Sequence, residues 1–165
     1  MGQIDQPRRR PRIFNTPFET GLRAVVVLTE CYPERLSLNR LVVFDHLVVH
    51  TGDIHGPPSM HPQDRSRAAE ILVRRGLVSS GLALMETRGL VARTATPDGF
   101  RYQAGPEAGS FVDLLASRYI KALKERANWL VENVLPHSDE ALAQLVRGRM
   151  DEWAPEFQTG QDSAG

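Results

Sequence analysis

Apolar residues recur at helical spacing in several long stretches of this chain, separated by segments rich in glycine and proline. From residue 17 to about residue 31, Phe18, Leu22, Val25, Val26 and Thr29 fall on one helical face. Ala24, Val27 and Leu28 carry the apolar surface further round the cylinder, so a central position is predicted for this helix. Its start is marked by a capping box: Thr16 as N-cap, Pro17 in the first helical position and Glu19 three residues after the cap. Tyr32-Pro33 ends it. Ser37 caps a second helix from Leu38 to about His50, with Leu38, Leu41, Val42, Asp45 and Val49 along one stripe. Residues 51–66, with two glycines and three prolines, read as a long loop of the kind that carries function or moves.

Beyond the loop, Ile71 to Val73 is a candidate short strand. From Arg75 to Thr87, Val78, Leu82 and Met85 recur at helical spacing beside a row of Leu77, Gly81 and Leu84, and Gly89 stands where a helix C-cap glycine belongs. Leu90–Thr94 and Phe100–Gln103 then read as two strands joined by Thr96-Pro97-Asp98-Gly99, in which proline presets φ and glycine supplies φ > 0. A long amphipathic helix is expected from near Ser110 to the stop at Leu135-Pro136, its apolar face including Phe111, Leu114, Leu115, Tyr119, Leu123 and Leu130. Ser138 caps a last helix running to about Trp153.

The predicted fold is mainly α with a small β-hairpin: a winged helix-turn-helix core over 13–105 and a C-terminal helical extension over 106–153. A flexible basic arm, 1–12, and a flexible tail, 154–165, flank them.

Charge changes the picture little. Acidic and basic side chains balance at 20 each, so no global field drives the chain onto nucleic acid or an anionic membrane. Eighteen of the 20 cations are arginine. A lone cysteine, Cys31, excludes an internal disulfide and fits a cytoplasmic location, and no apolar run approaches the roughly 18 residues of a membrane span. No apolar stretch follows Arg8–Arg10 to make a secretory signal.

Candidate chemistry is sparse. The helix from Arg75 presents Arg74, Arg75, Ser79, Ser80, Ala83 and Thr87 on its outer side, where small residues allow close backbone approach to a DNA groove or a protein partner. Glu86 and the neutral chain weigh against strong duplex affinity. Arg93 and Arg101, on adjacent strands of the hairpin, are candidates for backbone contacts, and Arg9 and Arg10 of the arm for a minor groove. His46 and His50 share one helical side, with His55 and His61 in the loop, yet there is no HExxH pattern and no second cysteine, so no metal or cofactor is expected. Gly76 to Gly81 lacks the Lys-Ser/Thr end of a phosphate-binding loop.

Three stretches bear a resemblance. Ile13 to Glu19 opens IFNTPFETGLRAVVVL; LSLNRLVVFDHLVVHTGD places Asp45 and Asp53 eight residues apart; and RRGLVSSGLALMETRGLVARTATPDGFRYQAG runs from paired arginines through a Gly-Leu exit into a hairpin. Together they resemble the middle components of bacterial ABC-three component systems. The resemblance implies a small non-enzymatic winged-helix protein acting beside an ABC-type ATPase and a variable third component, in conflict with phage and other invading DNA. On that reading the chain is an adaptor between those partners, with auxiliary DNA contact. The alternative is a dimeric winged-helix transcription regulator, with residues 108–135 as its dimerisation helix.

Overall fold

The computed structural model describes residues 16–62 and 67–158, apart from the side chains of 67–72 and 149–158. The basic arm with Arg9 and Arg10, the first residues of the opening motif and the end of the tail lie outside the described residues. The molecule is mainly helical with one small antiparallel sheet of three strands. In chain order the elements are α1 (Pro17–Cys31), β1 (Leu36–Ser37), α2 (Leu38–Val49), a 3-10 turn (Thr51–Ile54), α3 (Arg67–Glu86), β2 (Val91–Thr96), β3 (Gly99–Ala104), α4 (Ala108–Asp113), α5 (Arg118–Asn133) and α6 (Asp139–Gln158).

Helix α1 begins where its cap requires. The Thr16 hydroxyl accepts from the Glu19 N–H at 3.2 Å with Pro17 in the first turn, so one orphan donor is satisfied. Only this half of the box closes: among the described residues Oε2 of Glu19 has no hydrogen-bond partner. The helix is enclosed as its composition predicts, with Val25, Val26 and Leu28 fully buried. It packs against α2, α3, α4 and α5, which accounts for an apolar surface on nearly every side.

The closest of these contacts is with α3. A Cβ on Gly81 would lie 2.6 Å from the Gly21 nitrogen and 2.7 Å from the Pro17 carbonyl oxygen, so only a pair of glycines lets the two backbones meet there. The glycine spacing in α3 is therefore a packing device. Helix α2 starts at Ser37, whose hydroxyl accepts from the Arg40 N–H at 3.2 Å. It buries Leu41, Phe44, Val48 and Val49.

Three expectations are corrected. Ile71–Val73 is not a strand; it lies inside α3, which runs unbroken from Arg67. A short apolar run bounded by polar residues suits a strand or a buried helical turn equally, and here the helix wins. Next, the hairpin is joined by a further strand. Leu36 and Ser37 pair with Tyr102 and Arg101, giving the order β1-β3-β2. Third, the long helix expected between 110 and 135 is two helices, α4 and α5, with a break at residues 114–117. Ser117 caps the second, accepting from the Ile120 N–H at 3.2 Å, and Leu114 is left 82% exposed. The break re-aims the chain so that α5 folds back on α1 and α2, burying Leu123, Ala127 and Leu130.

Turn chemistry behaves as expected elsewhere. Gly89 ends α3 at φ +71°, and Gly99 closes the two-residue turn of the hairpin at φ +107°. The loop after α2 is fastened where it is described. Met60 and His61 donate to the Val49 carbonyl, the Thr51 hydroxyl donates to the Pro57 carbonyl at 2.7 Å, and Arg126 of α5 donates to the Pro58 carbonyl at 2.9 Å. Trp129 packs over Gly56 so closely that an added Cβ would lie 2.8 Å from the ring.

Candidate functional site

Two regions concentrate polar chemistry: a buried charged centre where α1, α2, α3 and α5 meet, and the outer surface of α3 with the hairpin. At the centre lies Asp45, 3% exposed in the middle of α2. Its Oδ1 accepts from Nε of Arg23 on α1 at 2.8 Å, and its Oδ2 accepts from Arg74 on α3 at 2.6 Å and from the other arm of Arg23 at 3.3 Å. Arg74 also reaches the Asp45 main-chain carbonyl at 3.4 Å. Both guanidiniums are buried, with Arg23 at 2% and Arg74 at 6% exposure.

Burial alone would raise the Asp45 carboxyl, but Arg23 and then Arg74 outweigh it and hold its pKa below the ordinary carboxylate value. Arg23 is correspondingly held above its usual value: burial opposes this, and Asp45 overcomes it. The result is a charged clamp tying three helices in one register. Breaking such a clamp leaves a buried charge behind, which is why its loss is costly.

Around the clamp sit the histidines. The ring of His46 on α2 lies 4.6 Å from that of His50, the C-cap residue, as their spacing predicts, and His61 approaches His50 edge-on at 6.2 Å. His61 of the loop thus joins them. His61 Nε2 is 3.2 Å from the Tyr119 hydroxyl of α5, with the two rings stacked. Burial first, then Arg23, His50 and Arg74, lower the His61 pKa to about 4, so its ring is neutral at physiological pH. Among the described residues no group of three or more His, Cys, Asp or Glu is arranged to hold a metal ion. Cys31 is buried and its thiol is pushed up to about 12, chiefly by burial, which keeps it protonated and unreactive.

The outer surface treats the predicted contact residues differently. Arg74 does not face solvent, because its guanidinium is held inside by Asp45. Arg75, Ser79, Ser80 and Ala83 are exposed on one side of α3, with Val73 beside them at 65% exposure. Arg75 donates to the Asn39 side chain of α2, so it braces α3 against its neighbour as well as facing outward. Arg93 is drawn onto Glu86 at 3.4 Å and stacks over the Phe100 ring at 4.3 Å, which pins the hairpin to the end of α3. The register pairs Arg93 with Tyr102 and Arg101 with Thr94, so Arg93 and Arg101 point to opposite faces of the sheet. They cannot line one surface together.

A family model described as ABC-three component (ABC-3C) system Middle Component 2 matches residues 13–156. The chain belongs to that family. No curated protein and no solved structure matches it. Among the described residues of this Middle Component 2 chain, no helix is long and apolar enough to cross a membrane.

One feature of the site was hidden from the sequence. Arg23 carried no signal, since an arginine among valines and alanines reads as the solvent side of a helix until a partner is known. Asp45 was the available clue: a carboxylate on the apolar stripe of α2 needs a buried cation. The paired arginines Arg74-Arg75 offered one, on a separate helix.

Proposed function

We propose that this Middle Component 2 chain is a non-enzymatic winged-helix adaptor that couples an ABC-type ATPase to the third component of its system, in defence against phage and other invading DNA. The family match carries the reading, since a middle component implies partner components. Two structural observations support the winged-helix part. The chain order α1-β1-α2-α3-β2-β3 ends in a hairpin whose third strand comes from between α1 and α2, and α3 offers an outward face beside that hairpin. The buried clamp supports an adaptor further, because it makes one rigid body of three helices and leaves their outer surfaces for partners. DNA contact is auxiliary on this reading: of the arginines proposed for it, Arg74 is buried and Arg93 is held by Glu86.

The dimeric regulator is less well supported. The helix it would use for dimerisation is broken, and its larger part, α5, buries its apolar face (Ile120, Leu123, Ala127 and Leu130) within its own chain. Co-expression with the products of the neighbouring genes, followed by affinity purification through a tag on this chain, tests the adaptor directly. Co-purification of the ATPase or the third component is the expected result. Recovery of this chain alone, together with protection of its own promoter, would establish the regulator instead.

A further inference from the structure

We propose that a cleft between β1, β3 and the α5–α6 junction is a docking site for an acidic segment of a partner protein, taking a side-chain carboxylate between Arg35 and Arg101. The proposal deepens the adaptor reading and rests on it for the partner, though not for the chemistry of the cleft. The cleft has a volume of about 370 Å³, and its walls include Glu34, Arg35, Arg40, Arg101, Leu135 and Asp139. That is the size range of concave sites which hold a side chain or small ligand, roughly 300–1,000 Å³.

Its arginines fall into two classes. Arg40 is committed to the fold. It donates to the Leu135 carbonyl at 2.8 Å, to the His137 carbonyl and to the Asp139 carboxylate at 3.0 Å, closing the floor by tying α2 to the α5–α6 junction. Arg35 and Arg101 are not committed. Among the described residues neither side chain has an ion pair or a hydrogen-bond partner, although Arg35 directly precedes β1 and Arg101 pairs with Ser37 of that strand. Two guanidiniums lining one cleft repel unless an anion comes between them, and each presents a planar fork matched to a carboxylate.

Charge decides what kind of anion fits. With Arg40 and Asp139 satisfied by one another, the cleft keeps two cations and one carboxylate, Glu34. A nucleic-acid strand would bring successive phosphates past both Glu34 and the exposed Asp139, and the chain as a whole has no net charge with which to attract it. An acidic side chain on a protein segment brings a single carboxylate and an apolar stem, for which Leu135 supplies a partly buried surface. Arg101 thus acts on the side of the sheet away from the stacked Arg93, at a surface separate from the exposed side of α3.

The test uses the full chain and fluorescein-labelled hexaglutamate, followed by anisotropy at low and at physiological salt. Hexaglutamine, inorganic phosphate and a short DNA duplex are run as competitors. Hexaglutamate is expected to bind, to be displaced by neither hexaglutamine nor the duplex, and to lose roughly tenfold or more in affinity in Arg35→Glu/Arg101→Glu, the size expected for charge-assisted bonds. Arg118→Glu, at the far end of α5, is expected to change nothing. Arg35→Gln/Arg101→Gln removes the charges without adding new ones, so it still reads the cleft if the double reversal folds poorly. Equal binding by wild type and both double variants, or displacement by the duplex or by phosphate at equal charge, would overturn the proposal. A second arm repeats the co-purification with the double variants. Loss of a partner that wild type retains supports the docking role. If wild type recovers no partner, the adaptor reading fails while the peptide arm still decides the chemistry of the cleft.

Discussion

Asp45 shows how much one side chain can organise. A carboxylate with nine-tenths or more of its surface buried is tolerated only because Arg23 and Arg74 meet it from two other helices. Asp45→Asn keeps the shape but leaves two buried guanidiniums without their anion. The expected loss is about 3–5 kcal/mol of unfolding free energy, read by urea denaturation; a change below about 1 kcal/mol would show that the clamp does not hold the core. Acid should act at the same place. His61 is lowered in the folded protein from 6.5 to about 4, so between those values the unfolded chain binds the extra proton. Its contribution is full above about pH 6.5 and falls away as pH drops towards 4. Asp45, also lowered, adds its own loss only at more acidic pH, below the ordinary carboxylate value. Melting temperature should therefore decline from pH 7 to pH 4, with a shallower slope in His61→Gln. An identical slope in that variant would assign the acid sensitivity elsewhere. Little of this was legible beforehand, because a residue's partner across three helices leaves no trace in local spacing; only the misplaced carboxylate on an apolar stripe hinted at it.

At the scale of elements, local chemistry wrote most of the outline. Thr16 and Ser37 set where α1 and α2 begin, and Pro97-Asp98-Gly99 turned the hairpin. Those signals act within three or four residues, which is why they can be read from a single sequence. What escaped depended on distant partners. β1 is two residues long and exists only because β3 lies beside it. The break at residues 114–117 escaped because apolar spacing continues through it: Leu114 and Leu115 keep the helical rhythm while the backbone departs from it. The break makes a sharp contrast between two leucines that a continuous helix would treat alike. Leu123→Ala removes a side chain with no exposure and should cost about 2–5 kcal/mol. Leu114→Gln, at 82% exposure, should stay within about 0.5 kcal/mol of wild type. Chemical denaturation of the two variants side by side checks this, and comparable losses would mean that Leu114 is covered in solution.

For the molecule as a whole, the question is which polymer it meets. Counterion release ties duplex affinity to the number of phosphates neutralised, and each contact steepens the dependence on salt by about one unit. The chain has as many acidic as basic side chains, its outward α3 face is mostly small and uncharged, and Arg93 already faces Glu86. Arg75 is the main exposed cation on that face, and it leans on Asn39. Few phosphates can be neutralised by such a surface. Binding to a short duplex, measured by anisotropy across a range of salt, is therefore expected to be weak at physiological salt, about 10⁻⁴–10⁻⁶ M, with little preference for sequence. Arg75→Ala should lower the salt slope by about one unit, and Arg93→Ala should leave it nearly unchanged. A sequence-selective complex in the range of about 10⁻⁸ M or tighter would contradict this, since specific readers reach that affinity through base contacts made by side chains that point outward. Such a result would require the outer arginines to leave Asn39 and Glu86, and would shift the balance from adaptor to regulator.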